Sequence, residues 1–166
     1  MTATETKTEA RLVSRLPAEL VSSGSFLLKR LGFLMKDKTI QAFEETGLTP
    51  YHHAVLALLE EEPPETQAMI ADALGYDRSH LVGMLDELEE RGLIERKRDP
   101  ADRRRHLVSL TPEGKKASTR LRAVIKQVEQ DFFAPLDAQQ REQLKSLLGE
   151  LASYHDVRFA KPSAKG

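Results

Sequence analysis

The chain has 166 residues, 40% of them apolar and none a cysteine, with a formal net charge of -1. That length and apolar share suit one domain with a real core, or a small head with an appended arm. The missing thiols exclude disulfides, thiolate metal sites and cysteine redox sensing, and no run of about 18 apolar residues offers a membrane span; both agree with a cytoplasmic protein.

The opening stretch MTATETKTEAR is polar and mixed in charge, unlike a signal peptide, so residues 1–16 are expected to form a frayed tail. From about Pro17 to Thr46, the residues Leu20, Phe26, Leu27, Leu31, Leu34, Met35, Thr39 and Phe43 recur at spacings of mostly three and four. That predicts one long helix with a single buried face, closed by a left-handed cap at Gly47. Thr49-Pro50 then reads as a hydroxyl N-cap with proline at the first helical position. The helix it opens carries Val55, Leu56, Leu58 and Leu59 and dissolves into the acidic turn 60–64.

Thr66 is placed to cap a short helix over Gln67 to Leu74, packing Met69, Ile70, Ala73 and Leu74. Gly75-Tyr76 makes a tight turn. Asp77 then caps a helix reaching Glu90 or Arg91, with Leu81, Met84, Leu85 and Leu88 inward, and Gly92 ends it. Two helices joined by a short glycine turn form a helix-turn-helix. The period then changes: Leu93 to Arg98 and His106 to Leu110 read as two short strands around the turn Asp99 to Asp102. A hairpin directly after a helix-turn-helix is a wing. Thr111-Pro112-Glu113 starts a helix with Leu121, Val124, Ile125, Val128 and Phe132 inward, broken by Pro135. Asp137 to Gln140 is a capping box for the last helix, which lines up Leu144, Leu147, Leu148, Leu151 and Tyr154. Residues 160–166 are expected to be a disordered tail.

The expected fold is mainly α with a small β-wing, a winged helix-turn-helix with N- and C-terminal dimerisation helices. Its expected divisions are the tail 1–16, an arm helix 17–48, the DNA-binding domain 49–111, dimerisation helices 112–159 and the tail 160–166. The terminal helices are apolar beyond what a small head can cover, and the simplest partner for them is a second copy.

Charge is concentrated where such a fold would meet DNA. Between Arg91 and Arg105 stand Arg91, Arg96, Lys97, Arg98, Arg103, Arg104 and Arg105, against only Glu95, Asp99 and Asp102. A local basic segment in a chain of near-zero net charge is what phosphate contacts require. Arg78, Ser79 and His80 occupy the first turn of the predicted recognition helix, the end that enters the major groove in helix-turn-helix docking. Arginine grips phosphate or guanine, serine bonds phosphate or several base edges, and histidine donates or accepts. The hairpin tip, with Arg103, Arg104 and Arg105, is thin enough for the minor groove.

The stretch LGYDRSHLVGMLDELEERGLIERKRDPADRRRHLVSLTPEG, Leu74 to Gly114, resembles the DNA-binding core of the MarR family of bacterial transcriptional regulators. Its most specific part is the wing, DPADRR followed by LVSLTPEG. The resemblance implies a homodimeric regulator of duplex DNA that binds an inverted repeat, a repressor released by a small-molecule effector, often an anionic aromatic compound. It also implies that Arg104 is the wing-tip arginine in the groove and that Asp102 orients an arginine beside it, with Arg103 and Arg105 on phosphate. One departure stands out. Related sequences often place Thr and Arg where this chain has Val82 and Gly83, so readout there is expected by apolar contact or close backbone approach.

His52 and His53 are adjacent on a helix and point about 100° apart, which suits structural roles better than shared metal ligation. By resemblance, His53 flanks an effector pocket between the DNA-binding head and the dimerisation helices. No serine elbow, phosphate-cradling glycine loop or HExxH motif is present, so neither an enzyme nor a cofactor is expected. The competing expectation is an architectural DNA-binding or interaction module that answers to no effector.

Overall fold

The computed structural model describes residues 16–61 and 65–159. The expected tails, up to residue 15 and over 160–166, and the end of the acidic turn at 62–64 lie outside the described residues. The chain divides into two compact units, one ending at Lys38 and one beginning at Thr39.

The first unit holds α1 (Ala18–Val21) and most of α2 (Gly24–Glu44). The sequence predicts one continuous helix here, and the structure breaks it at Ser22-Ser23. The Ser22 hydroxyl donates back to the Ala18 and Glu19 carbonyls at 3.0 and 3.1 Å, and Ser23 Oγ accepts the Phe26 amide at 3.4 Å. Two adjacent serines therefore satisfy the backbone locally and restart the helix with a cap. The predicted buried face is a second correction: Leu20, Leu27, Leu31 and Leu34 are exposed, and no described residue of this unit is buried. Within α2 only Phe43, past the unit boundary, is buried.

In the second unit, α3 (Pro50–Glu61), α4 (Gln67–Leu74) and α5 (Arg78–Glu90) enclose a core of Phe43, Val55, Leu56, Ile70, Leu81, Leu85 and Leu88, closed by Ile94, Val108 and Leu121. The predicted caps organise these helices. Thr49 Oγ1 accepts the His52 amide at 3.2 Å and Thr66 Oγ1 the Met69 amide at 3.3 Å. Gly47, Gly75 and Gly92 take left-handed φ of 66, 66 and 69°, a conformation that costs glycine little. In α4 the inward residues are Ile70, Ala71 and Leu74, while Met69 and Ala73, expected inside, are exposed. A helix of two turns has one narrow inner stripe, and at 100° per residue those two fall on its flank.

The sheet has three strands, β1 (Glu65–Thr66), β2 (Ile94–Arg98) and β3 (His106–Leu110), in the order β1-β3-β2, all antiparallel. The register sets Ile94 opposite Leu110, Arg96 opposite Val108 and Arg98 opposite His106. The two-residue β1 is too short to leave a periodic signal.

Thr111 joins the wing to α6 (Pro112–Phe132). Its hydroxyl donates to the Gly92 carbonyl at 2.7 Å and accepts the Gly114 amide at 3.0 Å. A Cβ at Gly114 would collide with the Leu93 carbonyl oxygen. The TPEG run is thus a cap, a first-turn proline and a glycine that lets helix and wing touch. The last helix, α7 (Ala138–His155), starts on the predicted capping box, with Asp137 and Gln140 exchanging bonds of 2.9 Å. No residue of α7 is buried, and Leu147, Leu148, Leu151 and Tyr154 are exposed. No helix among the described residues is long and apolar enough to cross a membrane.

Candidate nucleic-acid interface

The N-terminus of α5 is a rigid, outward-facing end. Asp77 Oδ1 accepts the Ser79 and His80 amides at 2.9 and 3.1 Å. Those two bonds hold its carboxyl below the usual carboxylate range. Arg78, Ser79 and His80 are all exposed. Arg78 meets Asp72 at 3.7 Å with both side chains about 70% exposed, a solvated pair that yields readily to a phosphate. Val82 and Gly83 follow Ser79 at helical spacing and are also exposed, so the five residues share the open side of the helix. A Cβ on Gly83 would meet nothing within 4 Å. The protein's own packing gives no reason for glycine there.

The acidic residues of α5 lie in its later turns, and three of them, Asp86, Glu87 and Glu89, are held by arginines. Arg96, half-buried on β2, donates to Asp86 at 2.6 Å and through Nε to Glu89 at 2.9 Å. Its Glu89 bonds hold the guanidinium's proton more tightly and push the Glu89 carboxyl down. Arg91 takes Glu87 at 2.7 Å. This clasp fixes the wing to the recognition helix and draws carboxylates away from an approaching phosphate.

The wing tip is organised by two aspartates. Asp99 Oδ1 accepts the Ala101 amide at 2.8 Å, and the Asp99 amide donates to the Arg105 carbonyl at 3.0 Å, closing the loop. Asp102, half-buried, accepts Arg104 through both its amide (3.1 Å) and its Nε (3.2 Å), and meets Arg105 Nε at 3.3 Å. The Arg104 contacts lower the Asp102 carboxyl most. Asp102 thus orients two arginines, and Arg104 remains 90% exposed.

Sorting the basic segment by partner separates structural cations from free ones. Arg91, Arg96 and Lys97 are held by Glu87, by Asp86 with Glu89, and by Glu95; Arg104 and Arg105 share Asp102. Arg98 and Arg103 form no ion pair among the described residues and are exposed. The sequence marks Arg98 only as one member of the basic run, with no role of its own. Its signal lies in the register, which sets it opposite His106 with no acid across the strand.

The two histidines part company as their spacing predicts. His52 is buried, its Nδ1 accepting the Thr49 amide at 3.1 Å and its Nε2 facing Glu87 at 3.3 Å. Burial pushes its pKa down, against the opposing pull of Glu87. His53 leans on the Phe43 ring at 6.2 Å. Its Nδ1 is buried without a hydrogen-bond partner; burial first, then Arg122, lowers its pKa. Arg122 in turn is held by Glu60, which also accepts the Ser118 hydroxyl at 2.7 Å. No cluster of metal-ligating side chains occurs among the described residues.

Comparison with known proteins agrees with this geometry. The MarR family model matches residues 48–106. A Thauera aromatica protein named for transcriptional regulation of the hcr operon is 34% identical over 142 residues, covering 81% of this chain and 84% of that protein. The transcriptional repressor CouR, solved bound to a 23-mer DNA duplex, is 34% identical with a TM-score of 0.75, over 84% of this chain and 99% of that one. CouR from Rhodococcus jostii RHA1, solved with p-coumaroyl-CoA, is 32% identical with a TM-score of 0.68, over 82% and 96%. With a winged helix-turn-helix, an open recognition-helix end and relatives of this extent, the chain belongs to the MarR family and is a DNA-binding transcriptional regulator rather than an enzyme.

Proposed function

We propose that the chain is a repressor that binds an inverted repeat in duplex DNA as a homodimer and leaves it when a small anionic aromatic molecule binds. The observation that carries the DNA contacts is the exposed first turn of α5, with its Asp77 carboxylate engaged in capping, beside a wing whose Asp102 presents exposed arginines. On this reading Arg78, Ser79 and His80 enter the major groove, and Val82 and Gly83 make close apolar and backbone contact. Arg104 enters the minor groove, oriented by Asp102, while Arg103 and Arg105 meet phosphate. Such a regulator works where the chromosome lies, in the cytoplasm.

Residues 49–111 would form the reading head, and 17–48 with 112–159 the dimer arm. The exposed rows Leu27, Leu31, Leu34 and Leu147, Leu148, Leu151 support a covering second copy. Release by an effector is supported by the unpartnered Nδ1 of His53 with Arg122 close by, a donor-acceptor set suited to a polar aromatic compound. The p-coumaroyl-CoA held by CouR is itself aromatic and anionic.

The test begins by selecting bound duplexes from a random library, which should yield an inverted repeat with half-site centres roughly 10 base pairs, or a multiple, apart. Binding of wild type, Arg104→Ala and Arg105→Ala to that duplex and to a scrambled one is then measured across salt concentrations. Arg105→Ala should weaken both duplexes alike and lower the salt slope by about 1. Arg104→Ala should cost about 1–3 kcal/mol chiefly on the selected duplex. Equal loss on both duplexes would make the wing an electrostatic clamp and remove its minor-groove role.

A further inference from the structure

Three rings outside the core meet beside the DNA-facing end of α5. Tyr51, in the first turn of α3, stands edge-on to Tyr76 at 5.6 Å and 70°, and to His80 at 6.0 Å and 90°. Tyr76, in the turn between α4 and α5, is half-buried and packs against the core. A continuous support therefore runs from the core through Tyr76 and Tyr51 to the imidazole of His80. The His80 backbone is pinned by the Asp77 cap at 3.1 Å, but its side chain has no hydrogen bond among the described residues. Its ring contact is Tyr51.

The cluster is poorly explained as packing. Tyr51 is 49% exposed, and α3 is anchored without it by Val55, Leu56 and Leu59, all buried. An aromatic ring left half in water next to a base-reading helix end has a different use. An imidazole on a solvated helix start samples several rotamers, and each must be given up on binding. A perpendicular ring at 6.0 Å removes part of that freedom beforehand and sets which edge of the imidazole faces outward.

We propose that Tyr51 is a positioning residue that holds the His80 imidazole in its base-reading orientation, so that part of the operator preference is set by a side chain on a neighbouring helix. The proposal rests on the reading that His80 contacts a base edge, and the experiment separates the two. The duplex recovered by selection is varied one base pair at a time. Its dissociation constants are measured at one salt concentration and pH for wild type, Tyr51→Phe, Tyr51→Leu, His80→Ala and the Tyr51→Leu/His80→Ala double variant, with thermal melts of each. Tyr51→Phe, which keeps the ring, should retain wild-type preference. Tyr51→Leu should lose several-fold discrimination at the same base pairs as His80→Ala while keeping its melting temperature and its affinity for scrambled duplex. The double variant should match His80→Ala alone. In the free protein, the His80 ring protons should carry a ring-current shift in NMR spectra that Tyr51→Leu abolishes and Tyr51→Phe keeps. If His80→Ala discriminates as wild type does, His80 reads no base and the proposal falls with that reading. If His80→Ala loses discrimination but Tyr51→Leu does not, or if the two losses multiply in the double variant, Tyr51 does not act through His80 and the proposal alone is overturned.

Discussion

Two regions of this molecule carry the same kind of apolar row and end in opposite states. In α5, Leu81, Leu85 and Leu88 are fully buried, whereas in α7, Leu147 and Leu151 are each 52% exposed. Both rows recur at helical spacing. The α5 row is met within its own unit by residues from α3, α4 and β2, which form the core with it. The α7 row is met by nothing comparable among the described residues. Helical periodicity therefore announces a face that needs cover and says nothing about whose residues will cover it.

The comparison is broken or sharpened first in the core. Leu85→Ala should lower stability by about 2–5 kcal/mol through the cavity it leaves, with a melting temperature that does not depend on protein concentration. Leu147→Asp with Leu151→Asp should do the opposite: a head that keeps its fold, a sedimentation coefficient that falls to that of a monomer, and a weaker hold on the inverted repeat. An unchanged sedimentation coefficient in that double variant would show that the α7 row needs no second copy.

A smaller effect comes from the buried rings. The pKa values of His52 and His53 are both lowered, by burial in the first place, so the folded state favours neutral rings. The unfolded chain takes up those protons as pH falls through about 6.5, and the folded chain only at lower pH. Stability is therefore fully present above that pH and declines below it, by at most about 1.4 kcal/mol per pH unit for each ring. His52→Gln, whose amide can accept from the Thr49 amide and donate to Glu87, should reduce that acid slope and leave melting at neutral pH nearly unchanged. An unaltered slope would mean that His52 protonates as easily folded as unfolded.

The smallest change in stability, with the sharpest contrast, is expected at Gly83. Alanine there meets no neighbour and should stabilise α5 by about 0.5–1 kcal/mol. On the selected duplex the same methyl should weaken binding if DNA occupies that space, as the proposed docking requires. A variant that is more stable and binds unchanged would leave the glycine without an interface role.

Much of the head was legible in the sequence because its signals are local. Thr49, Thr66, Asp77, Thr111 and Asp137 each bond an amide two or three residues on, and such bonds are encoded within one helical turn. The recognition helix and both wing strands follow from the same short-range rules. What escaped was set by competition between local options or by partners distant in sequence. The break at Ser22-Ser23 arises because two hydroxyls outbid the helix in a row that otherwise reads as continuous. Arg96 looks like one more base in a basic run, yet Asp86 and Glu89 lie ten and seven positions earlier and make it a structural clasp. The ring chain from Tyr76 through Tyr51 to His80 joins two helices and a turn, and no spacing rule connects them.

Sequence alone settled the winged helix-turn-helix order and the N-caps at Thr49, Thr66, Asp77, Thr111 and Asp137, since periodicity and capping act over three or four residues. It also concentrated positive charge on the wing. Which of those charges stay free, which histidine nitrogen is left without a partner and which apolar rows remain uncovered were settled when the elements packed. Those outcomes depend on the distance between groups far apart along the chain, and burial and ion pairing are read in space.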